Sequence, residues 1–228
     1  MTTIPFFPTD ERDRYRYYIS LTPVRAIATF LITRFLIHPV MRIEVRGCEN
    51  VPLTGPLIIS GNHVTNFDVF PMQIATLPRT ICFMGKAELF KNPALGWLIR
   101  NLCAFPVYRG GGDQWALNFA ERVLLEGQTL GIFPEGKRSK GRGLQQAKTG
   151  AARFAIAANS PILPLAIIGT DRLFKPWYRP TPVTVNIGKP IYPQADDTAD
   201  SLTERLMRAI AAMLPEDYRG VYRDPQPV

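Results

Sequence analysis

Residues 57–68 read Leu57-Ile58-Ile59-Ser60-Gly61-Asn62-His63-Val64-Thr65-Asn66-Phe67-Asp68. Leu57 to Ser60 follow Gly55-Pro56 as an apolar run too short for a helix, the pattern of a strand buried on both faces. A polar turn comes next, and Asn66 or Asp68 can cap a helix running to about Leu77. Outward from this unit the alternation repeats. Met41 to Arg46, Thr80 to Met84, Ala104 to Tyr108, Thr129 to Phe133, Ile162 to Ile168 and Val183 to Ile187 read as strands. Between and after them come helical stretches: Ala87 to Leu102 in two pieces broken at Pro93, a helix capped by Asp113 and ended by Gly127, and Lys148 to Asn159. Asp197 to Leu214 carries Leu202, Leu206, Ile210 and Met213 on one face. This order predicts an α/β domain built on a mixed, largely parallel sheet flanked by helices.

The chain of 228 residues, 46% apolar, is long enough for one large domain with an appended helical piece. Residues 23–41 form that piece. Val24, Ile27, Ala28, Leu31, Ile32 and Phe35 share a broad apolar face, with Arg25, Thr29 and Thr33 on a narrow polar strip. A membrane span needs roughly 20 predominantly apolar residues, and this run is shorter and carries Arg25 and Arg34. It predicts an interfacial helix with its arginines reaching lipid phosphates; an ordinary helix docked on the globular domain is the rival reading. The division expected is residues 1–40 as an N-terminal membrane-associating helical segment, 41–223 as the domain and 224–228 as a loose tail. The net charge of +8 sits in one block: from Lys137 to Arg179 there are nine Lys or Arg and one acid, Asp171. Such a block attracts phosphate groups, anionic lipid or nucleic acid. The aromatics Phe174, Trp177 and Tyr178 stand among the cations, but no RNA-binding motif accompanies them, and nucleic acid is not expected. The three cysteines lack a metal or disulfide spacing, so each is expected to pack as a small apolar residue in a reducing cytosol.

Two segments carry chemistry, and both follow strands whose carboxyl ends are the places where α/β sheets hold ligands. His63 precedes Asp68 by five residues across a strand-to-helix turn. A carboxylate on Nδ1 would fix the imidazole tautomer and leave Nε2 free to take a proton. A capping Asp beside a structural His is the rival reading of that spacing. No serine or cysteine stands in a nucleophile elbow nearby, so the hydroxyl to be activated would belong to a substrate. The second segment is Phe133-Pro134-Glu135-Gly136-Lys137-Arg138-Ser139. Gly136 permits close backbone approach to a ligand, and Arg138 can fork onto phosphate oxygens. Glu135 can orient Arg138 or bond an acceptor. Lys86 and Arg109 each stand just past a strand end and would add positive charge along the same sheet edge.

With these residues in view, the chain resembles the glycerolipid acyltransferases, the lysophosphatidic acid acyltransferase group. Asn62, His63 and Asp68 match that family's Asn-His-x4-Asp block, and Phe133 to Ser139 match its Phe-Pro-Glu-Gly-Thr-Arg-Ser block with Lys137 in the Thr position. Phe105 to Arg109 and Ile162 to Ala166 resemble two further blocks, and Gly85-Lys86-Ala87-Glu88-Leu89 resembles a segment whose lysine helps bind acceptor phosphate. The resemblance spans roughly residues 40–190. It implies a glycerol-3-phosphate acyltransferase-like fold and acyl transfer from acyl-coenzyme A or acyl carrier protein to a lysophospholipid hydroxyl. His63 and Asp68 would be catalytic, with Lys86, Arg109, Glu135, Gly136 and Arg138 holding the acceptor. It implies no metal and no bound cofactor. The expected partners are the lipid acceptor, the acyl thioester and an anionic membrane surface, met at its cytoplasmic face by a peripheral or monotopic protein. Lysophospholipids with larger headgroups or a lyso-ornithine lipid remain open as acceptors. A thioester hydrolase and a noncatalytic basic membrane-binding module remain open as functions.

Overall fold

The computed structural model describes residues 10–20, 22–108, 110, 112–141, 143–176 and 178–223. The aliphatic runs form seven strands: β1 Met41–Arg46, β2 Leu57–Gly61, β3 Ile81–Lys86, β4 Ala104–Val107, β5 Thr129–Ile132, β6 Ile162–Ile168 and β7 Thr181–Ile187. They make one sheet in the order β1-β7-β6-β2-β5-β3-β4. Neighbours run parallel except β6 and β7, which are antiparallel. The helices are α1 Pro23–Leu31, α2 Val69–Ala75, α3 Pro93–Asn101, α4 Gln114–Leu125, α5 Gly150–Ala157 and α6 Ala199–Ala212.

Both sheet faces are covered. Residues of α4, α5 and α6 pack with Ile58, Leu130 and Ile162 on one face. Met72 and Ala75 of α2 and Ile37 pack with Ile59, Leu163 and Val185 on the other. All five residues of β2 are buried, as a strand enclosed between helical layers requires. The connections leaving β2 and β5, which are adjacent, go to opposite faces: α2 follows β2 and α5 follows β5. Such a divergence opens a crevice at the strands' carboxyl ends, the usual ligand position in this architecture.

Several boundaries differ from expectation for local reasons. β7 begins at Thr181 and includes Pro182, which pairs with Arg42 of β1. On the other side its pairing with β6 stops at Thr184, so the proline is not asked for an N–H there. The helix expected from Lys148 starts at Gly150, and the Lys148 N–H before it donates to the Pro134 carbonyl at 2.8 Å. The cysteine expectation is corrected. Cys82 and Cys103, adjacent across the β3–β4 pair, form a disulfide with Cα atoms 4.6 Å apart, while Cys48 is free and exposed. Register alone brings them together, at a separation that CxxC-type patterns do not describe.

The expected helix over 23–41 is observed as α1 followed by a π-type stretch, Ile32–Ile37. Its orientation is the finding. Arg25 points into the protein, 1% exposed, and donates to the carbonyls of Ile19, Ser20, Ile81 and Leu102. The expectation that Arg25 reaches outward to phosphates is therefore corrected. The apolar face looks outward, with Ile27, Phe30 and Phe35 exposed by 61, 64 and 68%. Among the described residues no helix is long and apolar enough to cross a membrane.

Candidate active site

His63 lies two residues past the end of β2, in a loop closed by a single 3-10 turn, Asn66–Asp68, leading into α2. Thr65 caps this turn: its hydroxyl accepts from the Phe67 N–H while the Asp68 carboxylate accepts from the Thr65 N–H. The fold thus does with Asp68 what the capping reading supposed. It also does the other thing: Asp68 Oδ2 lies 2.9 Å from His63 Nδ1. One fully buried carboxylate shapes the loop and engages the imidazole. With Nδ1–H donating to Asp68, Nε2 is the free acceptor. The His63 side chain is 17% exposed, so the ring opens to solvent at one edge.

The turn after β5 meets this loop directly. Glu135 is 2% exposed and its two oxygens accept from the His63 N–H at 2.8 Å and the Gln145 N–H at 2.9 Å. The Ser139 N–H donates to the His63 carbonyl at 2.7 Å. The backbone of His63 is thereby held on both sides by the Pro-Glu-Gly segment. Glu135 does not pair with Arg138. Burial raises its carboxyl pKa, against the opposing pull of the N–H groups of His63 and Gln145. Gly136 sits at φ +65°, a left-handed turn suited to glycine, with the Lys148 side chain lying across it.

Aromatic packing sets the ring plane. The imidazole stacks on Phe133 with centroids 4.0 Å apart, and Phe133 is in turn stacked with Phe83 at 6.4 Å. Gly131 makes room for this column, since a Cβ there would lie 2.5 Å from the Phe83 ring. Asn62 fastens the loop's other end: its amide donates to the Ile167 carbonyl at 2.8 Å and accepts from the Ile167 N–H at 2.7 Å. These bonds continue the β2–β6 ladder one step past Gly61. The sequence puts Asn62 and Phe133 inside motifs without a role for either side chain, and Phe83 inside a strand.

The cations are placed as follows. Lys86 ends β3 and is exposed; Lys137 and Arg138 are exposed beyond the Glu135–Gly136 turn. Lys137 and Arg138 follow β5, which borders the crevice, and Lys86 ends β3, the next strand over. Arg109 lies outside the described residues. Two surface hollows lie elsewhere, one of about 500 Å³ between Tyr17 and Arg122 and one of about 830 Å³ between Tyr192 and Arg208. Neither includes a residue of the His63–Asp68 site.

Residues 42–168 match the protein-family model described as Acyltransferase. The 1-acyl-sn-glycerol-3-phosphate acyltransferase of Bacillus subtilis is 30% identical over 171 residues, 75% of this chain and 84% of that protein. The enzyme of that name from Haemophilus influenzae is 31% identical over 57% of this chain and 55% of its own length. The one from Streptococcus pneumoniae is 35% identical over 63% and 50%. This chain therefore spans most of the first relative and about half of the other two. The crystal structure of the 1-acyl-sn-glycerophosphate acyltransferase PlsC from Thermotoga maritima superposes with a TM-score of 0.63 at 27% identity, covering 83% of this chain and 78% of that one.

Proposed function

The chain belongs to the acyltransferase family, in the group of the 1-acyl-sn-glycerol-3-phosphate acyltransferases, and is an O-acyltransferase; from that premise we propose that it acylates the free hydroxyl of 1-acyl-glycerol-3-phosphate, giving phosphatidic acid, with an acyl thioester of coenzyme A or acyl carrier protein as donor. The observation that carries the reading is the 2.9 Å bond between His63 Nδ1 and Asp68 Oδ2, at the carboxyl end of β2.

In this reading His63 Nε2 takes the proton of the acceptor hydroxyl as its oxygen attacks the thioester carbonyl carbon. Asp68 holds the ring and stabilises the imidazolium that forms. The tetrahedral intermediate then collapses with cleavage of the carbon–sulfur bond. The departing sulfur receives the proton from Nε2, so ester and free thiol leave and the imidazole is neutral again. Arg138, Lys86 and Arg109 hold the acceptor phosphate. Glu135 and Gly136 shape the wall of that site, Glu135 through its hold on His63. Lys137, where the family has threonine, adds a cation and favours an anionic headgroup; a larger-headgroup lysophospholipid or a lyso-ornithine lipid is the second reading.

The segment 1–40 is proposed to seat the acyltransferase domain, residues 41–223, on the cytoplasmic face of an anionic membrane as a peripheral or monotopic protein. The outward apolar face of α1 and the exposed cations among the described residues of 137–179 support this. The test is transfer of labelled acyl groups by purified protein to a panel of lyso-lipids. Lysophosphatidic acid is expected to be acylated fastest, and His63→Ala to fall by about a hundredfold or more with the fold intact. Near-normal turnover in that variant would end the base assignment, and thioester cleavage at the same rate without acceptor would make the protein a hydrolase.

A further inference from the structure

Asp68 is fully buried and accepts five hydrogen bonds. Four come from its own loop: His63 Nδ1, the N–H groups of Val64 and Thr65 on Oδ2, and the Thr65 hydroxyl at 3.3 Å on Oδ1. The fifth comes from the Thr170 hydroxyl, 2.6 Å from Oδ1 and 102 residues away in sequence. Bonds internal to a loop preserve its shape but do not set where its carboxylate sits against the rest of the sheet. A carboxylate torsion is also broad, so the plane of the group is set by its partners. Thr170 is the one tertiary donor among these five, and it holds the oxygen that does not meet His63.

Its own position is firmly held. Thr170 is 1% exposed, in a short 3-10 turn just past β6, where water has no ready access to replace the hydroxyl. The preceding Gly169 has φ +100°, and a Cβ there would lie 2.4 Å from the Pro182 carbonyl oxygen. The turn that presents Thr170 therefore requires glycine.

We propose that Thr170 is a positioning residue for the dyad: its hydroxyl fixes the Oδ1 side of Asp68, so that Oδ2 faces His63 Nδ1, and turnover depends on that hydroxyl. The inference rests on the reading of His63 as general base. Thr170 reaches the reaction only through Asp68.

The experiment compares T170S with T170A, which differ from one another by one hydroxyl, and with T170V, which keeps the shape of threonine without it. Thermal melts confine the comparison to folded protein, and T170V stands in if T170A does not fold. Expected are T170S within about threefold of wild-type kcat and T170A or T170V lower by about ten- to a hundredfold, the rate equivalent of one hydrogen bond to a charged group. The KM for each substrate should stay within about twofold, because the residue touches neither. Adding T170A to the His63→Ala variant should cost little more, since the two act through one unit. Equal kcat for T170S and T170A, whether near wild type or equally slow, overturns the proposal. So does a loss confined to KM. If His63→Ala itself keeps near-normal turnover, the general-base reading fails and this inference falls with it; if His63→Ala is inactive while T170A is normal, the inference fails alone.

Discussion

Glu135 is held in a conflict that can be measured. Both its oxygens accept backbone N–H bonds, which suits a carboxylate, yet its burial raises the carboxyl pKa. Glu135→Gln would place an amide NH2 against one of those N–H donors and cut the tie between the His63 loop and the turn after β5. The expected cost is about 1–3 kcal/mol of stability, with a fall in kcat, read by urea unfolding and by turnover. The pH dependence follows from the direction of the shift. A carboxyl whose folded pKa is raised contributes stability that is fully present below its unfolded value, about 4.3, and that is lost as pH rises through the folded value. The stability difference between wild type and Glu135→Gln should therefore be larger at pH 4 than at pH 7. A constant or opposite difference would show that burial does not dominate this group.

At the scale of the element, α1 reverses the usual arrangement of an amphipathic helix. Its polar strip faces the protein through Arg25, whose guanidinium donates to four carbonyls and is pulled down to about 10 in pKa by burial. Two of these carbonyls, of Ile81 and Leu102, stand at the start of β3 and just past α3. The arginine is therefore a peg joining the helix to that part of the sheet. Arg25→Met keeps the stem and removes the donors. We expect a loss of about 1–3 kcal/mol from the orphaned carbonyls, seen as a lower denaturation midpoint; an unchanged midpoint would show that the bonds are replaced by water. The arm before the helix has its own anchor. Arg12 bonds Asp10 and Asp113, and Asp113 also caps α4. Burial pushes the Asp113 carboxyl up, but Arg12 and the N–H groups of Tyr108 and Ala116 outweigh it and hold it below the usual carboxylate range.

At the scale of the whole molecule, α1 and the stretch after it present exposed apolar side chains, and the sheet opens its β2–β5 crevice at the strands' carboxyl ends. Removing residues 1–40 would delete Arg12, Ile19, Arg25 and Ile37, all buried, so substitution is the cleaner probe of membrane docking. The triple variant Ile27→Ser, Phe30→Ser, Phe35→Ser is expected to lose vesicle binding. Full burial of one such side chain is worth about 1.5–3 kcal/mol, so partition onto anionic vesicles should fall by at least tenfold while turnover on detergent-dispersed acceptor is kept. Unchanged sedimentation with vesicles would remove α1 from the interface.

Much of this was legible in the chain because it is local. Short apolar runs separated by Gly, Pro and capping residues are strands and helices whatever surrounds them, and the β1 and β6 boundaries match their patterns. The five-residue step from His63 to Asp68 likewise places a carboxylate and an imidazole on one turn. What lies between distant segments was written nowhere in the pattern: the pairing of Cys82 with Cys103, the inward turn of Arg25, Glu135 on the His63 backbone, and Thr170 on Asp68. Each is a contact between strands or loops brought together by sheet order, and periodicity carries no information about which strand becomes whose neighbour.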